Sequence, residues 1–344
     1  MNLFVNLLAN PFTAGRDGTA PAAASFQEEG AADSYASGRR RPIAERDAYA
    51  MITKAPGPVS FGQRWSVWGA GYGGSQTTDG NAVQGSNTAT SRIAGTAVGA
   101  DYRVSPFTQL GFALAGGGTN FVVANGLGSG RSDLFQAGAY VRHTAGAAYF
   151  SGALAYGWQD VTTNRTVTIA GSDQLRAQFN ANAWAGRLEG GYRFITPWVG
   201  IGIAPYAAAQ FATFELPGYA ERAIVGANTF ALAYAAKSVI STRSDLGFRT
   251  DRSFALPGAM LTLRSRFGWA HDYNIDRIIA ATFQTLPGTS FVVGGASPAR
   301  DAALASATAE AKWLNGFSLA ATFEGEFSNV TSSYAGKGVV RYAW

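Results

Sequence analysis

The last residues of the chain alternate strictly between two kinds of side chain. One parity holds Gly338, Val340, Tyr342 and Trp344, and the other holds Lys337, Val339, Arg341 and Ala343. Successive side chains of a strand point to opposite faces, so one face here is apolar with terminal aromatics and the other can carry charge. This is typical of a strand with lipid on one side and a wet lumen on the other. We predict Trp344 as an anchor at the membrane interface.

From Arg64 onward, twelve segments show this alternation. The predicted strands cover residues 64–74, 89–104, 107–119, 131–144, 147–159, 177–194, 201–216, 237–251, 259–271, 302–314, 317–327 and 333–344. Their connectors are long and short in strict turn, with Pro or Gly in most short turns and 272–301 as the longest loop. Such sidedness with an even strand count predicts a twelve-stranded antiparallel up-and-down transmembrane β-barrel.

Charge and large apolar side chains fall on opposite parities within these strands. A charge on the lipid face near the bilayer midplane would cost about 2 to 4 kcal/mol, so membrane insertion requires this segregation. A soluble sandwich can also show it, but aromatics at strand ends, such as Trp158 and Trp269, favour the barrel. The residues predicted to face the lumen and contact a linker there are Arg187, Glu189, Arg243, Arg264, Arg266, Glu310, Glu324, Glu326 and Arg341.

Residues 1–60 differ in kind, being rich in Gly, Ala and Pro, and we predict a linker there and a barrel domain at 61–344. Pro42, acidic residues in the next turn and Lys54 before Pro56 predict a helix near 42–54. Leu3, Phe4, Leu7 and Leu8 also have helical spacing. Twelve strands leave a bore of about 14 Å, which admits one helix. We predict helix 42–54 in the lumen, its charges paired with those of the wall.

Composition narrows the class of protein further. No apolar run is long enough for a membrane helix, charged residues are only 14% of the chain, and cysteine is absent. The net charge of +5 is dispersed, which argues against nucleic-acid binding. His143 and His271 fall at strand ends on opposite sides of the membrane in this fold, so they cannot meet in one site. We therefore predict no catalytic, metal or cofactor site.

Several stretches resemble one protein family. They are RWSVWG at 64–69, GADYRVSP at 99–106, GFALAGGGTN at 111–120, GRLEGGYRF at 186–194, FGWAHD at 267–272 and the tail from Tyr334 to Trp344. Together they resemble the autotransporter β-domain, the translocator of type V secretion. The resemblance implies a barrel in the bacterial outer membrane, in contact with its lipid, with a helical linker in the lumen and an N-terminal passenger delivered to the cell surface. It also implies that Tyr342 and Trp344 form the signal read by the barrel assembly machinery.

Two other functions remain as alternatives at this stage. A small barrel can act as a diffusion pore or as an adhesin through its long loops, and a third class is an envelope hydrolase. A helix in the lumen favours the translocator, because a pore gains nothing from being blocked. A hydrolase needs a Ser and a His on one wall, which the pattern does not provide. The apolar loop 272–301 serves equally well as a plug or as ordinary loop packing.

Overall fold

The computed structural model describes residues 1–10, 64–169, 171–196 and 200–344. One α-helix, α1, spans Asn2–Ala9. Twelve long strands follow: β1 Trp65–Thr78, β2 Ala89–Ser105, β3 Thr108–Val123, β4 Gly128–Ala145, β5 Ala148–Val167, β6 Asp173–Tyr192, β7 Gly202–Leu216, β8 Lys237–Leu256, β9 Ala259–Asp272, β10 Asp301–Trp313, β11 Phe317–Phe327 and β12 Thr331–Ala343. Within the described ranges, three short 3-10 helices lie in loops, at Ala82–Gln84, Ala124–Gly126 and Asn228–Phe230.

The twelve strands close into a cylinder. Each pairs antiparallel with its neighbours in the chain, and β1 pairs with β12 from Ser66 opposite Ala343 to Thr78 opposite Thr331. Glycines face each other across this closing seam, where Gly71 lies opposite Gly338. Closure leaves no unpaired edge, as a membrane-spanning sheet requires. The predicted fold class, a twelve-stranded antiparallel barrel, is confirmed.

Several strands run further than their alternating pattern indicated. The predicted loop 120–130 is reduced to 124–127 between β3 and β4, and loop 160–176 to 168–172 between β5 and β6. The prediction of strictly alternating long and short connectors was therefore wrong on the loop side. The reason lies beyond Trp158, where the outward parity of β5 turns polar with Asp160, Thr162 and Asn164. Backbone pairing continues there although the apolar alternation has stopped.

The outer surface has an apolar band bordered by aromatic rings. At the short-turn rim Trp344 and Tyr342 stack with ring centroids 5.8 Å apart, and both are exposed. On β5 the outward positions from Phe150 to Trp158 are mostly apolar, over about the length of a transmembrane strand. This is the belt expected of a barrel in a bilayer. Among the residues that the structure describes, no helix is long and apolar enough to span a membrane.

Two loops form a small second sheet at the long-loop rim. It consists of Tyr219–Ala220 and Leu232–Tyr234 from the β7–β8 loop, with Ile278–Phe283 and Ser290–Gly294 from the β9–β10 loop. A further strand, Arg222–Val225, extends the edge of β6, and Phe194–Ile195 pairs with the start of β7. Most of the apolar side chains of the predicted loop 272–301 are thus in strands, where Phe283 packs against Phe291 with centroids 5.2 Å apart, while Leu286 lies in the turn between them.

Candidate functional site in the barrel lumen

One half of the lumen is apolar and holds α1. The buried helix residues Phe4, Val5, Leu7 and Leu8 form one cluster with side chains of the wall. The wall contributes mainly small residues, at Ala70, Ala97, Ala113, Ala115, Ala153, Ala155 and Ala185, together with Trp68, Tyr72, Tyr140 and Val339. Alanine leaves room for a helix to approach the sheet closely, so the inward parity of this half is shaped to hold one.

Contacts at its two ends fix the direction of α1. Ser151, close to the short turn before β5, donates a hydrogen bond of 2.9 Å from its Oγ to the carbonyl oxygen of Ala9. At the other end the Met1 sulfur lies 2.9 Å from Nε2 of Gln136 and also beside Gly157, farther along β5 toward the loops. The helix therefore runs from the loop side at Met1 to the turn side at Ala9.

A polar stripe on α1 faces the opposite half of the lumen. Asn2, Asn6 and Asn10 are spaced four residues apart and share one side of the helix. Asn6 and Asn10 border a space whose other walls carry charged and hydroxyl groups. Those groups are Arg187, Glu189, Arg249, Thr250, Asp251, Arg264, Ser265, Arg266, Ser306, Thr308, Thr322 and Glu324. The helix α1 therefore lies between the apolar half of the lumen wall and the charged half.

Glu189 is the most enclosed acid of the charged half-wall. It is 1% exposed and accepts hydrogen bonds from Arg187 at 3.0 Å, from Arg249 at 2.8 and 2.9 Å, and from the Tyr149 hydroxyl at 3.0 Å. Buried carboxylates are stable only when paired and hydrogen-bonded in this way. Arg249 reaches Glu189 from β8, past the intervening strand β7, so this contact links strands that are not direct neighbours.

Asp245 forms a second centre of the network. It pairs with Arg187 at 2.6 Å, and with Arg243 and Arg266 at 3.0 Å each. Arg243 continues to Glu326 through two bonds of 3.0 Å, a bidentate contact of the strong kind. The charges therefore form a connected network rather than isolated pairs.

Further ion pairs cover the rest of the wall. Arg264 pairs with Glu310, Lys337 with Glu324 at 2.7 Å, and Arg193 with Asp251 at 2.6 Å. Arg341 pairs with Asp101, whose carboxylate also accepts hydrogen bonds from Ser66 and Tyr140. Within the described part of the chain, these lumen pairs join eight basic to eight acidic side chains. Each of these side chains therefore has an oppositely charged partner.

The structure places all nine predicted lumen residues on the inward parity and in this set of ion pairs. Arg187, Glu189, Arg243, Arg266 and Glu326 lie in the connected network. Arg264 and Glu310 pair with each other, while Glu324 and Arg341 have the partners Lys337 and Asp101. None of these ion pairs is with α1, which carries no charged side chain.

Sequence reasoning left several members of the network out of its predicted site. Asp101, Asp245, Arg249 and Lys337 share the inward parity of their strands, and this signal alone could have found them. The predicted lumen helix near 42–54 and the boundary at residue 60 lie outside the described residues. The pairing of this helix with charges of the wall stays a prediction. The wall charges already have the partners named above.

The loop between β7 and β8 packs against the inward side of the barrel wall at the loop-side mouth. Phe230 and Ala231 join Val167 and Leu175 on the inward side of the β5–β6 extension, and Phe179 stacks on Tyr219 at 4.1 Å. Buried Glu221 accepts a bond of 2.9 Å from Arg165 and one of 3.0 Å from the Leu232 amide. Burial, followed by the nearby Glu221 carboxylate, raises the pKa of Tyr219 to about 12. These contacts fasten the loops to the barrel wall.

A closed barrel with a helix in its lumen is the geometry to compare with known proteins. The sequence profile of the family described as autotransporter beta-domain matches residues 67–324, which is most of the chain. The chain belongs to the autotransporter β-domain family. Membership supports an outer-membrane translocator barrel, a transport protein rather than a catalytic one.

Solved structures of translocator domains have the same fold as this β-domain. The translocator domain of the autotransporter NalP from Neisseria meningitidis aligns with a TM-score of 0.63 at 16% identity, covering 87% of this chain and 96% of that one. The β-domain of the Bordetella autotransporter Brka gives 0.61 at 20% identity, covering 82% and 100%. The transport unit of AIDA-I from Escherichia coli gives 0.51 at 12%, covering 81% and 90%. Among curated protein sequences, none matches this β-domain.

Proposed function

We propose that this β-domain inserts into a bacterial outer membrane and brings an N-terminal passenger to the cell surface through its own lumen. The observation that carries the proposal is the position of α1, inside the closed barrel and directed from loop side to turn side. A polypeptide attached before Met1 would emerge among the long loops. In a barrel inserted with its short turns toward the periplasm, that is the cell surface.

The fit of α1 favours a translocator over a diffusion pore. Its four large apolar side chains are almost wholly buried against alanines, so the wall is built to hold an apolar segment. A pore for solutes would keep this half of the lumen polar and open. The same wall can hold a segment that has stopped moving after export, as a translocator needs.

Surface exposure of an N-terminal epitope tests this function. We expect an epitope fused before Met1 to be labelled by antibody on intact cells that carry the β-domain behind a cleavable export signal. An epitope inserted at exposed Val83 in the β1–β2 loop is the positive control, and one between Gly146 and Ala147 is the periplasmic control. If the N-terminal epitope is labelled only after permeabilisation while Val83 is labelled on intact cells, the proposed export is refuted.

The end of β12 is proposed to act in assembly, as a signal to the outer-membrane assembly machinery. Tyr342 packs on Phe317 at 4.7 Å and on Trp344, whose amide reaches the Trp65 carbonyl at 3.3 Å across the closing seam. The terminal aromatics are therefore exposed at the rim and also adjoin the strand pair that closes the barrel.

Deletion of Trp344 is expected to remove most of the folded barrel from the outer membrane. The change removes both the interface anchor and the last seam bond, whereas Trp158→Ala removes an exposed aromatic at the other rim only. The amount of heat-modifiable, folded protein in outer-membrane fractions is the measurement, and W158A is the matched control. Equal levels of the deletion variant and the unaltered chain would rule out the assembly role.

A further inference from the structure

Four arginines stand on the outward face of the sheet beyond the aromatic belt. Arg92 on β2, Arg131 on β4 and Arg176 on β6 occupy outward positions, and Arg222 lies opposite Arg176 on the adjoining short strand. Arg92 lies opposite Asn120, which in turn lies opposite Arg131, so these two share one row across three strands. Adjacent strands are about 4.8 Å apart, which sets the two arginines about 10 Å apart. We call these four residues the arginine face.

The arginine face is exposed and largely without protein partners. Within the described residues, Arg92, Arg131 and Arg222 make no side-chain hydrogen bond or ion pair, while Arg176 donates to Oδ1 of Asn164 at 2.9 Å. This contrasts with the arginines of the lumen network, such as Arg187, Arg243 and Arg249, which pair with carboxylates. Guanidinium groups in planar, fixed positions suit bidentate binding of phosphate. The unpaired arginines therefore have donors available to an anion from outside the protein.

The height of the arginine face above the membrane points to the kind of anion. Arg131 lies opposite Thr162, which follows Trp158 of the aromatic belt by four residues along β5. With strands tilted near 40°, this places the row about 10 Å beyond the belt. Arg176 and Arg222 lie two residues higher. Phosphates carried on sugars of a glycolipid stand at such a height, whereas those of a glycerophospholipid lie at the acyl boundary.

Among the outward strand positions beyond the belt, the positive charge lies on one side of the cylinder. Beyond the belt on the other side, outward positions hold Ser244 on β8, Asp301 on β10, Ser332 on β12 and Thr77 on β1. On the arginine side, Asp133 and Asp160 lie opposite each other one row nearer the belt, and Gln178 donates to Asp160. Four arginines against two aspartates leave this face positive, and the arginines are its outermost charges.

We propose that the arginine face binds the phosphate groups of the glycolipid in the surrounding outer leaflet. The inference takes from the proposed function only the placement in an outer membrane. Electrostatic attraction and charge-assisted hydrogen bonds to several phosphates would hold the glycolipid against β2 to β6. One side of the barrel then has a preferred lipid neighbour, and its rotation in the membrane is coupled to that lipid.

The test is binding of purified lipopolysaccharide with a phosphorylated core to the immobilised, folded full chain in zwitterionic detergent. The variant R92Q/R131Q/R222Q is expected to bind at least about tenfold more weakly, because each arginine near an anionic surface contributes several-fold. Arg252→Gln changes an outward arginine at the other rim and is expected to leave binding intact. Binding by the unaltered chain should fall at high salt and after enzymatic dephosphorylation of the glycolipid.

Two results overturn the proposal. One is equal binding of lipopolysaccharide by the unaltered chain and the triple variant. The other is equal affinity of the unaltered chain for intact and dephosphorylated lipopolysaccharide, a comparison that stays valid if the variant folds poorly. Phosphatidylglycerol should be bound with the same affinity by chain and variant, and a tenfold difference there would assign the site to phospholipid instead. Channel conductance of the variant, expected to be unchanged, separates this site from the translocation function.

Discussion

Deleting residues 1–10 is expected to raise the single-channel conductance of the barrel several-fold in planar bilayers. A helix of 10 to 12 Å diameter fills most of a bore of about 14 Å, so removing α1 leaves the space beside the charged wall continuous with its apolar half. Asn2→Ala changes an exposed residue of the polar stripe and should leave the block intact. Conductance of the deleted chain equal to that of the full chain would contradict the occupancy of the lumen by α1.

A second deletion distinguishes α1 from the sequence-predicted helix at 42–54. A chain lacking residues 1–57 removes both segments, and we expect its conductance to match that of the chain lacking residues 1–10. If only the longer deletion opens the channel, the segment near 42–54 is the plug and α1 is not. The comparison therefore tests the earlier prediction on residues that the structure does not describe.

Replacing Glu189 by Gln is expected to lower the free energy of unfolding by about 3 to 5 kcal/mol, since it leaves Arg187 and Arg249 enclosed without their shared carboxylate. Glu326→Gln is the matched control. Its side chain is 31% exposed and Arg243 retains Asp245 as a partner, so we expect a loss below about 1 kcal/mol. Urea unfolding in lipid vesicles, followed by tryptophan fluorescence, measures both. Equal losses for the two variants would show that the burial of Glu189 does not increase its contribution to the free energy of unfolding.

The strands were predictable because a bilayer imposes one simple rule on every one of them. Outward residues such as Leu188 and Trp184 must be apolar, while inward Arg187 and Glu189 need not be, so parity alone identifies the face. The rule lapses outside the bilayer, where β5 and β6 carry polar residues on their outward parity. Their extensions were therefore mistaken for loops.

The parity of a residue gives the face of the sheet it occupies, but it does not give the residues of other strands that lie beside it. Sequence places Glu189 and Arg249 on inward faces, but they are sixty residues apart, and only the pairing register of β6, β7 and β8 brings their charges to 2.8 Å. The helix α1 illustrates a second limit. Eight residues are too few for a stable isolated helix, and its stability comes from packing on the alanine wall, which local spacing does not reveal. Sequence patterns therefore predict a longer segment with start and stop signals, such as 42–54, more readily than a short one such as α1.

The pairing of eight bases with eight acids along the wall has a consequence for cargo. A polypeptide exported through this lumen, as proposed above, would meet a network of paired charges, so neither acidic nor basic sequences would gain a strong electrostatic hold on it. Under the proposed function, the lumen would therefore discriminate little between passengers of different charge. Release of a segment after such export would then depend on shape and apolar contact, which the alanines packed around α1 supply.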